Sequence, residues 1–358
     1  MPPVWEVRVK NQAGTLVQVI SNYSHLRLTP TVNAAGSYDL TMAYRDGMED
    51  WFDVDGQIEF WRSNLDAGIS PRKEFEGMHV DFERWVDQGG QENFSSHGVG
   101  YADHLARRVI DAPSGSSGAA KSGAAETAIK EYVDEQCVNP TDPTRVVTGL
   151  SIEADAATGS SWSGGRAYRN LLTVCQEIAE TGGGDFSVAG IGAALFEFRW
   201  HNGQLGTDRR ATVRFGLSYN NMGAPKYMVS RIAERNAILV GGGGLAAERE
   251  TVWRTDPARI AVSPWGRREE FVDARDVEQG STAILNTRGD TRLAERRPEI
   301  GMSFEILQTP GLLYGRDYFL GDVVTGEFAG QVVVQKIEGF VIEVDRSGER
   351  LRGVLRDV

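Results

Sequence analysis

Asp317-Tyr318-Phe319-Leu320-Gly321-Asp322-Val323-Val324-Thr325, followed by Gln331-Val332-Val333-Val334-Gln335-Lys336-Ile337 and Phe340-Val341-Ile342-Glu343-Val344, is the stretch from which the fold is read. A turn at Asp345-Arg346-Ser347-Gly348 follows, and Arg350-Leu351-Arg352-Gly353-Val354-Leu355-Arg356 returns. Phe340, Ile342 and Val344 fall on one face of a strand, with Val341, Glu343 and Asp345 on the other. Leu351 and Leu355 point one way, and Arg350, Arg352 and Arg356 the other. Period-two alternation around a Gly-containing turn predicts a β-hairpin. We read Tyr318 to Arg356 as the end of a small β-barrel.

An echo lies near the N-terminus. Asp55-Gly56-Gln57-Ile58-Glu59-Phe60 is a strand after an Asp-Gly turn. Phe75 to Glu83 follows, with Met78, Val80 and Phe82 expected on one face. A turn at Asp87-Gln88-Gly89-Gly90 leads to a return strand from Glu92 to Val99. Both ends share the order strand, strand with an internal Gly, Asp-x-x-Gly turn, strand. Internal duplication and two unrelated hairpin-rich regions both fit this pattern.

Between the ends the period changes. Trp5, Val7 and Val9 alternate with charged residues, and Asn11-Gln12-Ala13-Gly14 turns the chain into Leu16 to Ile20, an opening hairpin. Strands near Leu26-Arg27-Leu28, Gly36 to Met42 and Ile58 to Trp61 complete an all-β module. From Tyr101 a short helix places Leu105 near Tyr101 and leaves Arg107 and Arg108 outside. Ser114 to Gly123 is a loop that is flexible by composition. Gly123 and Glu126 stand where an N-cap and its partner would, before the stripe Ala125, Ile129, Tyr132 and Val133. Tyr168, Leu171, Leu172, Cys175, Ile178 and Ala179 recur at helical spacing and stop at Gly182-Gly183-Gly184, as helix C-termini prefer. Strands at Asp185 to Val188, Leu195 to Trp200 and Thr212 to Gly216 make this middle third α+β. β character returns at Asn236 to Val240, Glu248 to Val252 and Phe271 to Asp276. A helix is expected over Ser281 to Arg297, and Gly301 to Gln308 re-enters β structure.

A chain of 358 residues has room for two or three domains with full cores. Hydrophobic and charged fractions of 41% and 25% are those of a globular protein. No apolar run approaches the roughly 20 residues of a membrane span. Met1 to Glu6 shows no secretory pattern, so synthesis and folding in a cytoplasm are expected. The net charge of -12 disfavours a protein that grips nucleic acid, although not a channel through which nucleic acid slides. Cys137 and Cys175, without metal or redox spacing, are expected to be free and buried.

No catalytic constellation emerges. His25, His79, His97, His104 and His201 include no H-E-x-x-H arrangement, and His97 and His104 lack an acidic or cysteine partner at metal spacing. There is no Gly-x-Ser-x-Gly elbow. Gly241 to Gly244 follows a strand, but Leu245-Ala246-Ala247-Glu248-Arg249 supplies no Lys-Ser/Thr. It reads as a strand connection. Glu269 with Glu270, or Asp273 with Asp276, are the glycosidase-type carboxylate pairs to weigh against a solvated face. Trp51-Phe52, Trp61, Trp85 and Trp162 are candidates for a sugar surface, although Trp in β-modules is more often core or interface. Arg292, Arg296 and Arg297 form an exposed helix face or a set of partners for acids on a neighbouring subunit. We therefore assign no catalytic, cofactor-binding or metal-binding residues, no cofactor and no enzyme activity.

Several stretches together carry a resemblance. They are Gly36-Ser37-Tyr38-Asp39-Leu40, Gly100 to Ile110, and Leu171 to Gly184 with Asp185-Phe186. Asn236 to Gly242, Arg267 to Asp276 and Asp317 to Val324 continue the series. In this order they resemble the tail-hub proteins of long, non-contractile-tailed bacteriophages (siphophages), a family similar in fold to the baseplate hub of contractile-tailed phages. The resemblance runs over nearly the whole chain, and the order of the motifs is its specific part.

The resemblance implies an α+β, β-dominated fold with two β-barrel tube-type domains and α+β domains between them. The domains would be 1–105, the first barrel; 106–225, an α+β middle domain; and 226–358, the second barrel with a helical insertion near 276–298. Such hubs are homotrimers whose six barrels form a pseudo-sixfold ring, which matches a sixfold partner through closed symmetry. The implied partners are the tail tube or distal tail protein ring, a tail fibre or spike protein, and the tape measure protein. DNA would pass through the lumen without specific binding. The implied location is the distal tail tip of the virion, after synthesis in the host cytoplasm. Many relatives carry C-terminal lytic or receptor-binding modules. This chain ends at Val358 directly after the barrel, so neither activity is carried over. The alternative is a host-surface carbohydrate-binding or cell-wall-degrading tail-tip protein.

Overall fold

The closing hairpin forms as its alternation predicts. In the computed structural model, which describes residues 3–112, 120–244 and 248–358, strands Gln331–Asp345 and Gly348–Asp357 pair antiparallel from Asp345↔Gly348 to Gln335↔Asp357. Phe340, Ile342, Val344 and Leu351 are buried, while Arg350, Arg352 and Arg356 face solvent. Val323–Phe328 precedes the hairpin and pairs with Gln331–Asp345, and Arg214–Gly216 adds to it in parallel.

The N-terminal strands are Val4–Lys10, Leu16–Ile20, His25–Leu28, Ser37–Ala43, Gln57–Asn64, Ile69–Val86 and Glu92–Gly100. Their apolar parity packs inward. Tyr38 lies 4.9 Å from Phe60, and Phe60 lies 6.0 Å from Phe75. Gly98 is required here, because a Cβ would lie 2.0 Å from the Met78 carbonyl oxygen and 2.4 Å from the Tyr38 ring.

Two separate closed barrels are not what the pairing records. His25–Leu28 pairs antiparallel with Gln331–Asp345, with Leu26 opposite Val344 and Leu28 opposite Ile342. One continuous strand path therefore runs through both ends of the chain, and among the described residues it is open, with Leu16–Ile20 at one end. The expected face of Met78, Val80 and Phe82 also fails. A bulge between His79 and Asp81 breaks the period of two, so Met78 is buried while Val80 and Phe82 are exposed.

The middle segment packs helices Ala125–Val133 and Leu171–Gly182 with the sheet of Gly184–Gly192, Leu195–Asn202 and Leu150–Ile152. Ala125, Ile129, Tyr132, Val133, Cys175 and Ile178 share one core with Phe186, Phe198 and Trp200. Gly183, at φ 68°, caps the second helix. Its N-cap is Asn170, whose side chain accepts from Thr173 N, so Tyr168 lies outside the helix and is exposed. Gly123 is not a cap. Ala124 holds that position, and Glu126 turns inward to Lys130 and Thr158 instead of bonding the helix start. Most of the Ser114–Gly123 loop lies outside the described residues, and Ala120–Ala124 pairs with Ser161–Gly165.

The chain forms two compact units, Met1–Pro225 with Ser303–Val358, and Lys226–Met302. The second contains strand Ala237–Gly241 between Thr251–Thr255, antiparallel, and Glu269–Asp273, parallel. Helix Thr282–Glu295 packs on this sheet, and Leu285 joins Ile238, Val240, Ala274 and Val277 in the core.

Candidate interaction surface

A buried polar junction holds the larger unit together. Arg62 lies at the inward parity of its strand, after Ile58 and Phe60, and is 1% exposed. It donates through Nε and Nη2 to both Glu349 oxygens at 2.7 Å, and through Nη1 to the Tyr314 carbonyl at 3.0 Å. Trp5 Nε1 at 2.9 Å and Gln308 Nε2 at 2.7 Å complete the Glu349 carboxylate. Burial works against the Arg62 charge, but Glu349 outweighs it and raises the Arg62 pKa. Beside it, Glu74 accepts from Tyr314 OH at 2.8 Å, and burial raises its carboxyl pKa. A charged pair buried with this many donors is costly to break from one side.

Two aspartates join the middle segment to the C-terminal strands. Asp185 accepts from Lys336 Nζ at 2.6 Å, Asn33 Nδ2 at 2.9 Å and Leu205 N at 2.7 Å. Asp322 accepts from Thr207 N at 2.6 Å, Arg209 Nε at 2.8 Å and Phe319 N at 2.8 Å.

The residues weighed for chemistry are dispersed. His79 packs against Phe52 and contacts Ser96 Oγ through Nδ1 at 2.9 Å. Burial lowers the pKa of His79 and of His104 to about 4. His97 lies 3.6 Å from Asp39, a contact its spacing concealed, and His201 bonds Ser187. Among the described residues no group of three His, Cys, Asp or Glu side chains is placed to hold a metal. Glu270 is clamped by Arg292 and Arg296, at 2.6 and 2.8 Å, so those two arginines have acidic partners within their own chain. Glu269 pairs with Arg267, Asp273 with Arg275 and Arg249, and Asp276 with Arg288. The N–H groups of Gly242 and Gly243 donate to Glu250 and Val277 carbonyls and do not point at a ligand. Leu245-Ala246-Ala247 lies outside the described residues.

The candidate tryptophans form no platform. Phe52 and Trp162 are buried, and Trp61 lies under Arg8 at 4.4 Å. Trp85 is exposed on the hairpin beyond the bulge. There Ile69–Val86 pairs with Glu92–Gly100 and has its other edge free, because pairing with Gln57–Asn64 ends at Met78. Val80, Phe82, Trp85 and Val86 are all exposed on this arm. Among the described residues a second edge, Leu16–Ile20, pairs only with Val4–Lys10 and exposes Leu16, Val17 and Val19. Edge strands normally carry charges, Pro or cover that prevent further pairing, and Leu16-Val17-Gln18-Val19-Ile20 carries none. An exposed edge of this kind can accept another strand.

This arrangement was compared with known proteins. The model of the Siphovirus ReqiPepy6 Gp37-like protein family matches residues 6–354. The chain belongs to this family. Among solved structures, it is similar to a tail protein from Neisseria meningitidis MC58, with a TM-score of 0.61 at 12% identity, covering 100% of this chain and 97% of that one. It is also similar to the 43 kDa tail protein of prophage MuSo2 from Shewanella oneidensis, with a TM-score of 0.60 at 12% identity, covering 99% and 98%. A chain of the half-lidded Francisella PdpA-VgrG complex matches with a TM-score of 0.55 at 9% identity, covering 99% of this chain and 58% of that one. No curated protein matches. At these identities the neighbours establish the fold. The siphophage tail-hub resemblance is thus borne out as membership of a siphovirus family with a mostly β, tail-protein fold.

Proposed function

We propose that this member of the siphovirus family is a non-enzymatic structural hub of the phage tail. Three copies form a ring at the distal end of the tail tube in the virion. The observation that carries the reading is the open sheet with the uncharged apolar edge Leu16–Ile20, in a chain whose fold is that of tail proteins over its full length. An open sheet with such edges is satisfied by strands of neighbouring chains, and closed rings of identical subunits provide them. Each chain contributes two tube-type lobes, one from its N-terminal strands and one from its C-terminal strands, so a trimer presents six to a sixfold tube or distal tail ring. The other end meets a spike or fibre protein, and the tape measure protein and DNA pass through the lumen. The acidic balance of -12 suits a passage that must not retain phosphate.

Light scattering and negative-stain imaging of the purified chain test this. The expected result is a particle of about three 39.2 kDa chains with a central hole, alone or on adding tube protein. A chain that remains monomeric at high concentration with tube protein present overturns the reading.

A further inference from the structure

A cleft of about 420 Å³ lies beside the Leu16–Ile20 edge. It is lined by the end of that strand, by the loop Ser21-Asn22-Tyr23, and by Met42, Met48 and Trp51. Ile20, Met42 and Met48 are buried and make the apolar part of the lining. Arg45 and Arg346, both exposed, are its charged part. No carboxylate lines the cleft, and among the described residues neither arginine makes an ion pair. The acids next to them in sequence serve elsewhere or lie outside the lining. Asp345 pairs with Arg350 and Glu49 with Arg84, and neither Asp46 nor Asp50 lines the cleft. Acidic residues outnumber Lys and Arg 50 to 38 in this chain, so two arginines that share a cleft and reach no carboxylate reverse its charge locally. The loop adds donors, because among the described residues the backbone N–H groups of Ser21, Asn22 and Tyr23 donate no hydrogen bond.

The complement lies on the hairpin arm. Asp81, Glu83 and Trp85 stand opposite His97, Ser95 and Asn93 in an unbroken register, so the three share one face of the arm. All three are exposed, and among the described residues neither Asp81 nor Glu83 makes an ion pair. Arg84 is on the other face, where Glu49 and Glu92 take its charge and its guanidinium lies 3.6 Å from the Tyr44 ring. The outer edge of this strand is free beyond Met78.

We infer that the cleft is a carboxylate site between copies of this chain: the arm of one copy lays its free edge along Leu16–Ile20 of the next, and Asp81 and Glu83 meet Arg45 and Arg346. This rests on the ring reading above and names one of its contacts. Strand addition takes its affinity from main-chain hydrogen bonds and its specificity from alternate side chains. Here the alternate side chains of the arm are two acids and a tryptophan, and the receiving cleft offers two cations and an apolar lining with Trp51. Opposite charges on two edges also fix register and exclude pairing of like edges. The two edges are different surfaces of one chain, so the contact is head-to-tail and generates a ring when its rotation closes. A nucleic acid brings phosphate but no strand edge, and the balance of -12 around the cleft opposes it.

The test reverses each partner in the full chain, as Arg45→Glu with Arg346→Glu and as Asp81→Arg with Glu83→Arg. All four residues are exposed, so circular dichroism and the melting curve should stay those of the wild type. We expect association at least about tenfold weaker in each reversed chain, read as loss of the trimer mass in light scattering with tube protein present. A chain carrying all four substitutions should recover the trimer, which a merely disturbed edge does not do. Trimers that persist in either reversed chain, or that the fully reversed chain fails to recover, overturn the inference and leave the ring reading standing. A reversed cleft that keeps the trimer but no longer binds tube protein also overturns it, and assigns the cleft to an acidic segment of that protein. A wild-type chain that stays monomeric with tube protein overturns both.

Discussion

Replacing Glu349 with leucine isolates the junction that ties the two ends of the chain together. The substitution leaves Arg62, 1% exposed, without the carboxylate that receives two of its N–H groups, and leaves Trp5 Nε1 and Gln308 Nε2 without their acceptor. Breaking a buried pair from one side costs roughly 3–5 kcal/mol, because a charge is left uncompensated. At about 2 °C per kcal/mol, the low end for domains of this size class, that corresponds to a fall of roughly 6–10 °C in melting temperature. The double variant Arg62→Met, Glu349→Leu removes both charges and should recover most of the loss, giving a coupling of at least about 2 kcal/mol between the single changes. The pair Arg27–Glu343, separated by 3.9 Å with side chains 51% and 36% exposed, is the control, and Glu343→Leu should cost less than about 1 kcal/mol. Denaturant unfolding followed by tryptophan fluorescence reads the wild type, the single variants Glu349→Leu, Arg62→Met and Glu343→Leu, and the double variant. If Glu349→Leu costs no more than Glu343→Leu, or if the two single costs simply add in the double variant, the junction does not hold the ends together.

Three further outcomes follow from the same structure. His79 and His104 titrate near 4 when folded against 6.5 when free, so the unfolded chain takes up their protons first. Stability should be full above about 6.5 and fall as pH drops toward 4, by at most about 3 kcal/mol for each histidine and less once solvent screening is allowed for; replacing both with glutamine should flatten a pH series of melting curves in that window. Val17→Lys places a charge on the free Leu16–Ile20 edge; folding stability should change by no more than about 0.5 kcal/mol, while any trimer mass that the proposed ring gives the wild type is lost in light scattering. Cys137 and Cys175 are free and buried, burial pushing the first thiol up to about 11 and the second well above its ordinary value, so a thiol reagent should label neither until denaturant is added.

Local pattern carried most of the element list. Phe340, Ile342 and Val344 against Val341, Glu343 and Asp345 predict the face that packs inward, because parity is a property of the strand alone. The stripe Leu171, Cys175, Ile178 and Ala179 predicts the helix, although Tyr168 continued the spacing and the Asn170 cap excludes it. The failures have a shared cause. A bulge at His79–Asp81 inserts one residue and reverses parity, and nothing in Gly77-Met78-His79-Val80 announces it. The pairing of Leu26 and Leu28 with Val344 and Ile342 spans the length of the chain, and no local window contains both partners.

The buried junction and the exposed apolar residues were not read from the sequence, although each breaks the pattern of its own strand or loop. Arg62 occupies the inward position after Ile58 and Phe60, and Glu349 precedes Leu351 and Gly353 at the same parity. A charge at a core position must find an opposite charge or unfold the strand, so two such violations in two strands are a pairing signal even at a separation of 287 residues. The converse violation marks the outer surfaces. Leu16, Val17 and Val19 lie on an edge with no charge, Trp253 and Phe271 on a face with no cover, and Trp265 on a loop with no core. Taken singly, exposed apolar residues are ordinary; aligned on a free edge, they are surface that a lone chain leaves in water and that the proposed ring would cover.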